Sequence, residues 1–86
     1  MKLKVINVKI RKAMLLQKET NIYLYENKKE EFTLVAIPNI EWSTLIPYEE
    51  ETSLLNERLQ QSLVKQVHQS EALSLTLKIL QWVREM

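Results

Sequence analysis

Hydrophobic and polar residues alternate with a period of two in the first half of the chain. Val8 and Ile10 share one parity while Lys9 and Arg11 share the other, which is the period of a half-buried β-strand. Similar alternation returns in IYLYE and in EFTLVAIP, where β-branched and aromatic residues favour strands. Short polar segments separate these stretches and indicate an antiparallel meander. We therefore predict strands over residues 3–16, 22–26 and 32–38.

The period changes from Thr52 onward. Leucines at positions 55, 59 and 63 recur every four residues, which is typical of one face of a helix. The stretch VHQSEA predicts a break before a second helix, and one continuous kinked helix is the alternative. The last segment, EALSLTLKILQWVREM, alternates like a strand but also carries polar residues at helical intervals of three and four. Its Ala, Leu, Lys and Glu content favours a helix.

These elements predict one α+β domain over residues 1–86. It consists of a three-stranded antiparallel meander, a connecting segment 39–51, and one or two C-terminal helices within 52–86 that pack on one sheet face. A chain of 86 residues has a small core, and folds of this size commonly add a disulfide, a metal or a partner chain. Because there is no cysteine, oligomerisation is the expected stabiliser.

Composition excludes several classes of function. Glycine is absent, so the phosphate-binding loops that need close backbone approach and positive φ are not expected. No stretch approaches the ~20 apolar residues of a membrane span, and Lys9, Arg11 and Lys12 interrupt the apolar core that a signal peptide needs. The lack of cysteine fits a reducing compartment. We expect a cytoplasmic protein without a membrane partner.

The sequence contains few residues that could perform catalysis. Aspartate and cysteine are absent, and His68 is the one histidine. Glu49, Glu50 and Glu51 are consecutive, and adjacent helical residues point about 100° apart, so these three carboxylates are not expected to converge on a metal ion. Their expected role is to place negative charge near the start of the first helix. We predict no catalytic residues, no cofactor and no metal site, and therefore no enzyme.

Apolar side chains beyond the needs of a small core suggest a protein partner. The last helix is apolar over a wider arc than one sheet face requires. Trp42 lies in the predicted connection, where it is either a core plug, which we favour, or an exposed anchor. The candidate partner-binding residues are Trp42, Tyr23, Tyr25, Leu75, Ile79 and Trp82. The predicted function is a protein-interaction or regulatory module that forms a homodimer or docks on another protein.

An alternative is binding of single-stranded nucleic acid. The first 18 residues contain six basic side chains and no acidic one, although the net charge of the chain is only +1. If the strands pair as predicted, Lys9 and Arg11 share a face with Tyr23 and Tyr25, on which bases could stack. The glycine-bearing motif of sheet-based RNA binders is missing. The basic residues can also be explained without nucleic acid, as the solvent-exposed face of an ordinary strand.

Three stretches resemble the YueH-like family of short bacterial proteins. They are KIRKA at 9–13, YENKKEE at 25–31 and VAIPNIEWS at 35–43, all in the first half of the chain. The resemblance implies a small bacterial cytoplasmic protein, and it carries over no catalytic residues.

Overall fold

A computed structural model describes residues 8–85 and shows a four-stranded sheet covered by two helices. The part of the predicted first strand at 3–7 lies outside the described residues. The elements are β1 (Val8–Leu15), β2 (Lys18–Asn27), β3 (Phe32–Ile37), a 3-10 turn (Pro38–Ile40), β4 (Trp42–Pro47), α1 (Thr52–Leu63) and α2 (Gln69–Glu85). The predicted α+β class is therefore confirmed.

The four strands form an antiparallel meander in the order β1-β2-β3-β4. Its first turn is tighter than the sequence predicted, because β2 begins at Lys18 instead of residue 22. The two turn residues are Leu16 and Gln17, with φ of 51° and 63°. Positive φ at both central positions is the geometry of a two-residue hairpin, for which asparagine and glycine are the usual residues. Thr20 and Asn21, which fall between the predicted first and second strands, lie inside β2.

The prediction of three strands missed β4, which occupies part of the predicted connecting segment. Pro38 ends β3 as expected, and a 3-10 turn then reverses the chain through Glu41, whose φ is 50° and whose N–H bonds to the Pro38 carbonyl. The following WSTLIP alternates inward and outward residues along β3. Pro47 lies at the end of this edge strand, where its missing N–H costs no ladder bond.

Both helices pack on one face of the sheet, as predicted. The last segment is helical, and residues 64–68 separate α1 from α2. The core between the layers is built from inward-facing aliphatic residues of all four strands together with Leu55, Leu59, Leu63, Ala72, Leu75 and Ile79 of the helices. Thr76 is also buried, and its hydroxyl has no hydrogen-bond partner among the described residues. No helix within residues 8–85 is long and apolar enough to cross a membrane.

Candidate protein-interaction surface

The sheet face opposite the helices carries apolar side chains that no described element covers. We call it the open face. The register assigns to it, among others, Val8, Ile10, Met14, Tyr23, Tyr25, Phe32, Leu34, Ala36, Leu45 and Pro47. Val8, Ile10, Met14 and Leu45 are between 46% and 62% exposed, so about half or more of each side chain is in contact with solvent. The face is apolar on a side of the sheet where an antiparallel fold commonly presents polar residues.

Two apolar rows cross the sheet at the centre of the open face. One row runs through Val8, Tyr25, Leu34 and Leu45, which are paired in register across all four strands. The neighbouring row contains Ile10, Tyr23, Ala36 and Ser43. The Tyr25 and Phe32 rings meet edge to face with centroids 6.3 Å apart, a favourable aromatic geometry. Both tyrosines are half-buried.

Charge is confined to one end of the open face. Lys12 and Glu19 occupy outward positions near the first turn, and their side chains are paired at 3.5 Å. The outward positions of β3 and β4 and of β2 from Asn21 onward hold no charged residue. A protein that covered the central rows would therefore not have to bury an unpaired charge of this chain, which is the main electrostatic penalty at an interface.

The open face is large enough for a weak or moderate interface. Four strands spaced ~4.8 Å apart and about six residues long give a footprint of roughly 19 Å by 20 Å. Two such footprints amount to ~800 Å² of projected area, and the accessible area of side-chain surfaces is larger. Stable interfaces bury about 1,200–2,000 Å² in total, so the projected area of a face-to-face pair lies below that range and corresponds to a weak interface.

Three of the predicted partner-binding residues belong to the core instead. Trp42 is 7% exposed, which confirms the plug interpretation and makes the exposed-anchor alternative wrong. Leu75 and Ile79 are 1% and 0% exposed because they lie on the side of α2 that packs on the sheet. Trp82 is half-buried against the same core. Tyr23 and Tyr25 alone among the six candidates lie on the open face.

The predicted grouping of basic and aromatic residues on one face is wrong. Lys9 pairs with Leu24 and Arg11 with Ile22, on the side of the sheet that carries the helices. Tyr25 and Tyr23 are paired with Val8 and Ile10 on the open face. The basic residues of β1 at odd-numbered positions therefore lie on the side of the sheet that α2 covers, where Arg11 is 3.9 Å from Glu85.

Sequence reasoning missed Val8, Ile10, Leu34 and Leu45 as surface residues. Val8, Ile10 and Leu34 were assigned to an apolar strand face, and a single strand does not reveal which of its faces the helices cover. Leu45 was assigned to the connecting segment because β4 was not predicted. A signal was nevertheless present, since β3 has apolar residues on both parities: Leu34 on one and Val35 on the other. A strand with two apolar faces in a fold that can cover only one predicts an apolar surface.

Arg58 fixes the end of the sheet beside the open face. Its guanidinium donates two hydrogen bonds of 2.8 Å to Glu50, one of 2.7 Å to the Thr44 hydroxyl and one of 3.3 Å to the Leu45 carbonyl. This two-point contact lowers the pKa of the Glu50 carboxyl and raises the pKa of Arg58. The contact joins α1 to β4 and holds Leu45 in position on the open face.

The largest described cavity lies at the opposite side of the sheet from the open face. It has a volume of about 320 Å³ and an apolar floor that includes Ile46, Leu55 and Val83. At its rim the Tyr48 hydroxyl donates to Glu26, and this bond raises the pKa of Tyr48 to about 12. Arg84 donates to the Thr52 hydroxyl at 3.1 Å. These two hydrogen bonds link the residue after β4 to β2 and the end of α2 to the start of α1.

The remaining polar candidates have structural positions. His68 is exposed and directly precedes α2, where its N–H donates to Glu71 at 3.3 Å. Glu49 and Glu50 lie before α1, as predicted, and Glu51 occupies its N-cap position without a side-chain capping hydrogen bond. Within residues 8–85 no group of three or more acidic or histidine side chains is arranged to hold a metal ion.

Comparison with known proteins gives two matches. The family model described as YueH-like protein matches residues 9–85. A protein of Bacillus subtilis (strain 168) described as "Uncharacterized protein YueH" is 44% identical over 86 residues, covering all of both chains. No solved structure matches this chain.

Proposed function

The chain belongs to the YueH-like family of bacterial proteins, and from that premise we propose that it is a small, non-catalytic protein-interaction module that self-associates through the open face. The observation that carries the proposal is the pair of uncharged apolar rows across the sheet, centred on Tyr25 and Leu34. Hydrophobic area of this kind on a small domain marks an interaction surface. The lack of cysteine supports a cytoplasmic location.

A second copy of the chain suits this surface for two reasons. The central rows offer no charge that a partner would have to neutralise, and a copy of the same face brings none. When it is doubled, the estimated footprint also reaches the size of a weak interface. Tyrosine is enriched at such interfaces because it buries a large ring while its hydroxyl stays hydrated.

Single-stranded nucleic-acid binding is the alternative that the sequence raised. It needs basic side chains around Tyr23 and Tyr25, but Val8 and Ile10 flank these rings while Lys9 and Arg11 belong to the other side of the sheet. We therefore favour a protein partner. Retention of a single-stranded oligonucleotide on a filter at low salt, lost with increasing salt, would reverse this preference.

Analytical ultracentrifugation of paired variants tests self-association. Leu45→Glu places a charge on the open face, whereas Leu77→Glu places one on α2 at a position that is similarly exposed, 55% against 47%. At micromolar concentration we expect the wild type and Leu77→Glu to form dimers and Leu45→Glu to be monomeric. Ile10→Glu, at the other side of the open face, should behave like Leu45→Glu.

Circular dichroism of each variant shows whether the fold survives the substitution. A wild-type monomer at all concentrations up to ~100 µM would overturn the proposal. Equal dissociation by Leu45→Glu and Leu77→Glu would overturn it as well, because the open face would then have no special role.

A further inference from the structure

The outer edge of β1 presents a row of backbone groups that β2 does not use. The two-residue turn makes Leu15 and Lys18 a hydrogen-bonded pair, and bonded and non-bonded pairs alternate along an antiparallel ladder. The N–H and C=O groups of the even-numbered positions therefore point away from β2. They belong to Val8, Ile10, Lys12 and Met14. Within residues 8–85 no hydrogen bond to this row is formed.

The other edge of the sheet is obstructed. On β4 the corresponding outward row contains Ser43, Leu45 and Pro47. Arg58 already donates to the Leu45 carbonyl, and Pro47 has no N–H to offer. An added strand would have to displace the guanidinium and would still lack one donor. The two edges therefore differ in their capacity to accept a further strand, and β1 is the accessible one.

A small groove between β1 and α2 lies beside this edge. It encloses about 130 Å³ and is lined by Ala13 and Leu15 on one side and by Ser70, Ser74 and Lys78 on the other. The two serines leave space beside the strand because their side chains are short. At the end of the groove the Glu71 carboxylate accepts a 2.6 Å hydrogen bond from the Leu16 N–H, which is the next donor of the β1 row. A carboxylate therefore already occupies one acceptor position at this edge.

The charged side chains beside the β1 edge indicate which residue types a bound strand would carry. On the helix side the edge presents Lys9 and Arg11, and Lys78 projects from α2, while Glu85 is paired with Arg11 and Glu71 lies at the end of the groove. On the opposite side the neighbouring residues are the apolar Ile10 and Met14, with Lys12, which is paired with Glu19, between them. We propose that the β1 edge binds an extended segment of a partner protein in which acidic residues alternate with apolar ones. The acidic side chains meet the basic helix side, and the apolar ones extend the open face.

The same pattern disfavours pairing of β1 with itself. A second β1 would bring its own Lys9, Arg11 and Lys12 to the same edge, and like charges on adjacent strands are destabilising. Main-chain hydrogen bonds supply affinity in this mode of binding, and alternate side chains supply specificity. The site adjoins the dimer surface at Ile10 and Met14 but uses different atoms, because the open face is contacted through side chains and the edge through backbone groups.

Amide hydrogen exchange followed by nuclear magnetic resonance tests the proposal residue by residue. The probe is a synthetic peptide, acetyl-Glu-Val-Glu-Val-Glu-Val-Glu-amide, and the control probe has lysine in place of each glutamate. With the acidic peptide we expect new protection at the amides of Ile10, Lys12 and Met14. The amides of Arg11 and Ala13 bond to β2 in the free protein and should change little. The lysine peptide should have no effect.

Two substitutions test the charge and the backbone separately. Lys78→Glu should weaken peptide binding by roughly threefold or more, because it replaces attraction by repulsion at a solvent-exposed position. Lys28→Glu, in the turn before β3 and away from the groove, is the matched control and should leave binding unchanged. Lys12→Pro removes one outward N–H without removing a bond to β2, so it should abolish the new protection while the far-ultraviolet spectrum is retained.

Each alternative result has a defined meaning. No binding of the acidic peptide at millimolar concentration, or protection spread evenly over odd and even positions, would overturn the proposal. Protection of Ile10 and Lys12 that grows with protein concentration in the absence of peptide would replace it with edge pairing between two copies. Leu45→Glu should still bind the peptide, so failure of this proposal and failure of face-to-face dimerisation are distinguishable.

Discussion

The indole N–H of Trp42 donates a 2.8 Å hydrogen bond to the Oγ of Ser62. This bond joins the edge strand β4 to the last turn of α1, and the ring fills the space between them with only 7% of its surface exposed. Trp42, which was predicted to lie in a connecting segment, therefore links the sheet to the helices that cover it. Its polar atom is satisfied inside the fold, as buried indole groups usually are.

Removing this ring should be among the most destabilising single changes. Trp42→Ala is expected to lower the free energy of unfolding by about 3–5 kcal/mol, since it leaves a cavity in a small core. Ser62→Ala keeps the ring and loses the bond, at a cost of about 1 kcal/mol. Urea unfolding followed by circular dichroism measures both. Ser74→Ala, at an exposed position on α2, is the control and should stay within about 0.5 kcal/mol of the wild type.

The first hairpin turn offers a stabilising change. Leu16 and Gln17 both adopt positive φ, a conformation that costs most residues about 1 kcal/mol and that glycine adopts freely. Replacing the pair by Asn-Gly should therefore raise the free energy of unfolding by about 1–2 kcal/mol. Thermal unfolding measures the shift. The same Asn-Gly pair at Lys28–Lys29, where φ is not positive, should give no such gain.

Glu71 should couple the first turn to the start of α2. Its carboxylate accepts the N–H of Leu16 at 2.6 Å and that of His68 at 3.3 Å. Glu71→Ala leaves both donors without this acceptor and should cost about 1–2 kcal/mol. Glu71→Gln retains a neutral acceptor and should cost less. A cost for the alanine variant no larger than that for Glu85→Ala, at the far end of α2, would contradict the coupling.

The contact between Glu50 and Arg58 gives the stability a dependence on acid. Arg58 lowers the pKa of Glu50 below its ordinary value of 4.5 in the folded state. A lowered folded-state pKa means that the contribution is fully present above about pH 4.5 and is lost as the pH falls through the lower folded value. Glu50→Gln should flatten this part of a plot of unfolding free energy against pH. Glu57→Gln, on the exposed side of α1, should not.

The pKa of Tyr48 should lie above the ordinary value for tyrosine. Its hydrogen bond to Glu26, followed by desolvation and by the negative charge of Glu26 itself, raises its pKa from 10.0 to about 12. Stability from this interaction is present below the ordinary tyrosine pKa and is lost as the pH rises through the folded value. Alkaline titration of tyrosinate absorbance should reveal one delayed group, which Glu26→Gln returns towards normal. An unchanged titration curve in this variant would contradict the role of Glu26.

The strands and helices of this chain could be predicted from the sequence where the local pattern of hydrophobic residues matches the way the element packs in the fold. The helical region within residues 52–86 was predicted from its spacing, and of the two alternatives, one kinked helix or two helices, the structure has two. The first turn was not predicted, because Leu16 and Gln17 carry no turn signal and their conformation is stabilised by Glu71, 55 residues away from Leu16. β4 was missed because its alternation is short and is bounded by proline. The pairing of β1 with β2 places Val8 and Ile10 on the side of the sheet away from the helices. Register depends on a pair of strands, so this orientation could not be derived from β1 alone.

Blocking one edge of the sheet sets a limit on assembly. If β1 of one molecule could pair with β4 of the next, the contact would be head-to-tail and could repeat without closing, which produces filaments. Arg58 and Pro47 obstruct the acceptor half of that contact. Head-to-tail pairing of β1 with β4 would have to displace the guanidinium and would still lack the N–H of Pro47. The obstructed β4 edge therefore disfavours open-ended growth of the sheet, and that protection depends on the hydrogen bond from Arg58 to the Leu45 carbonyl.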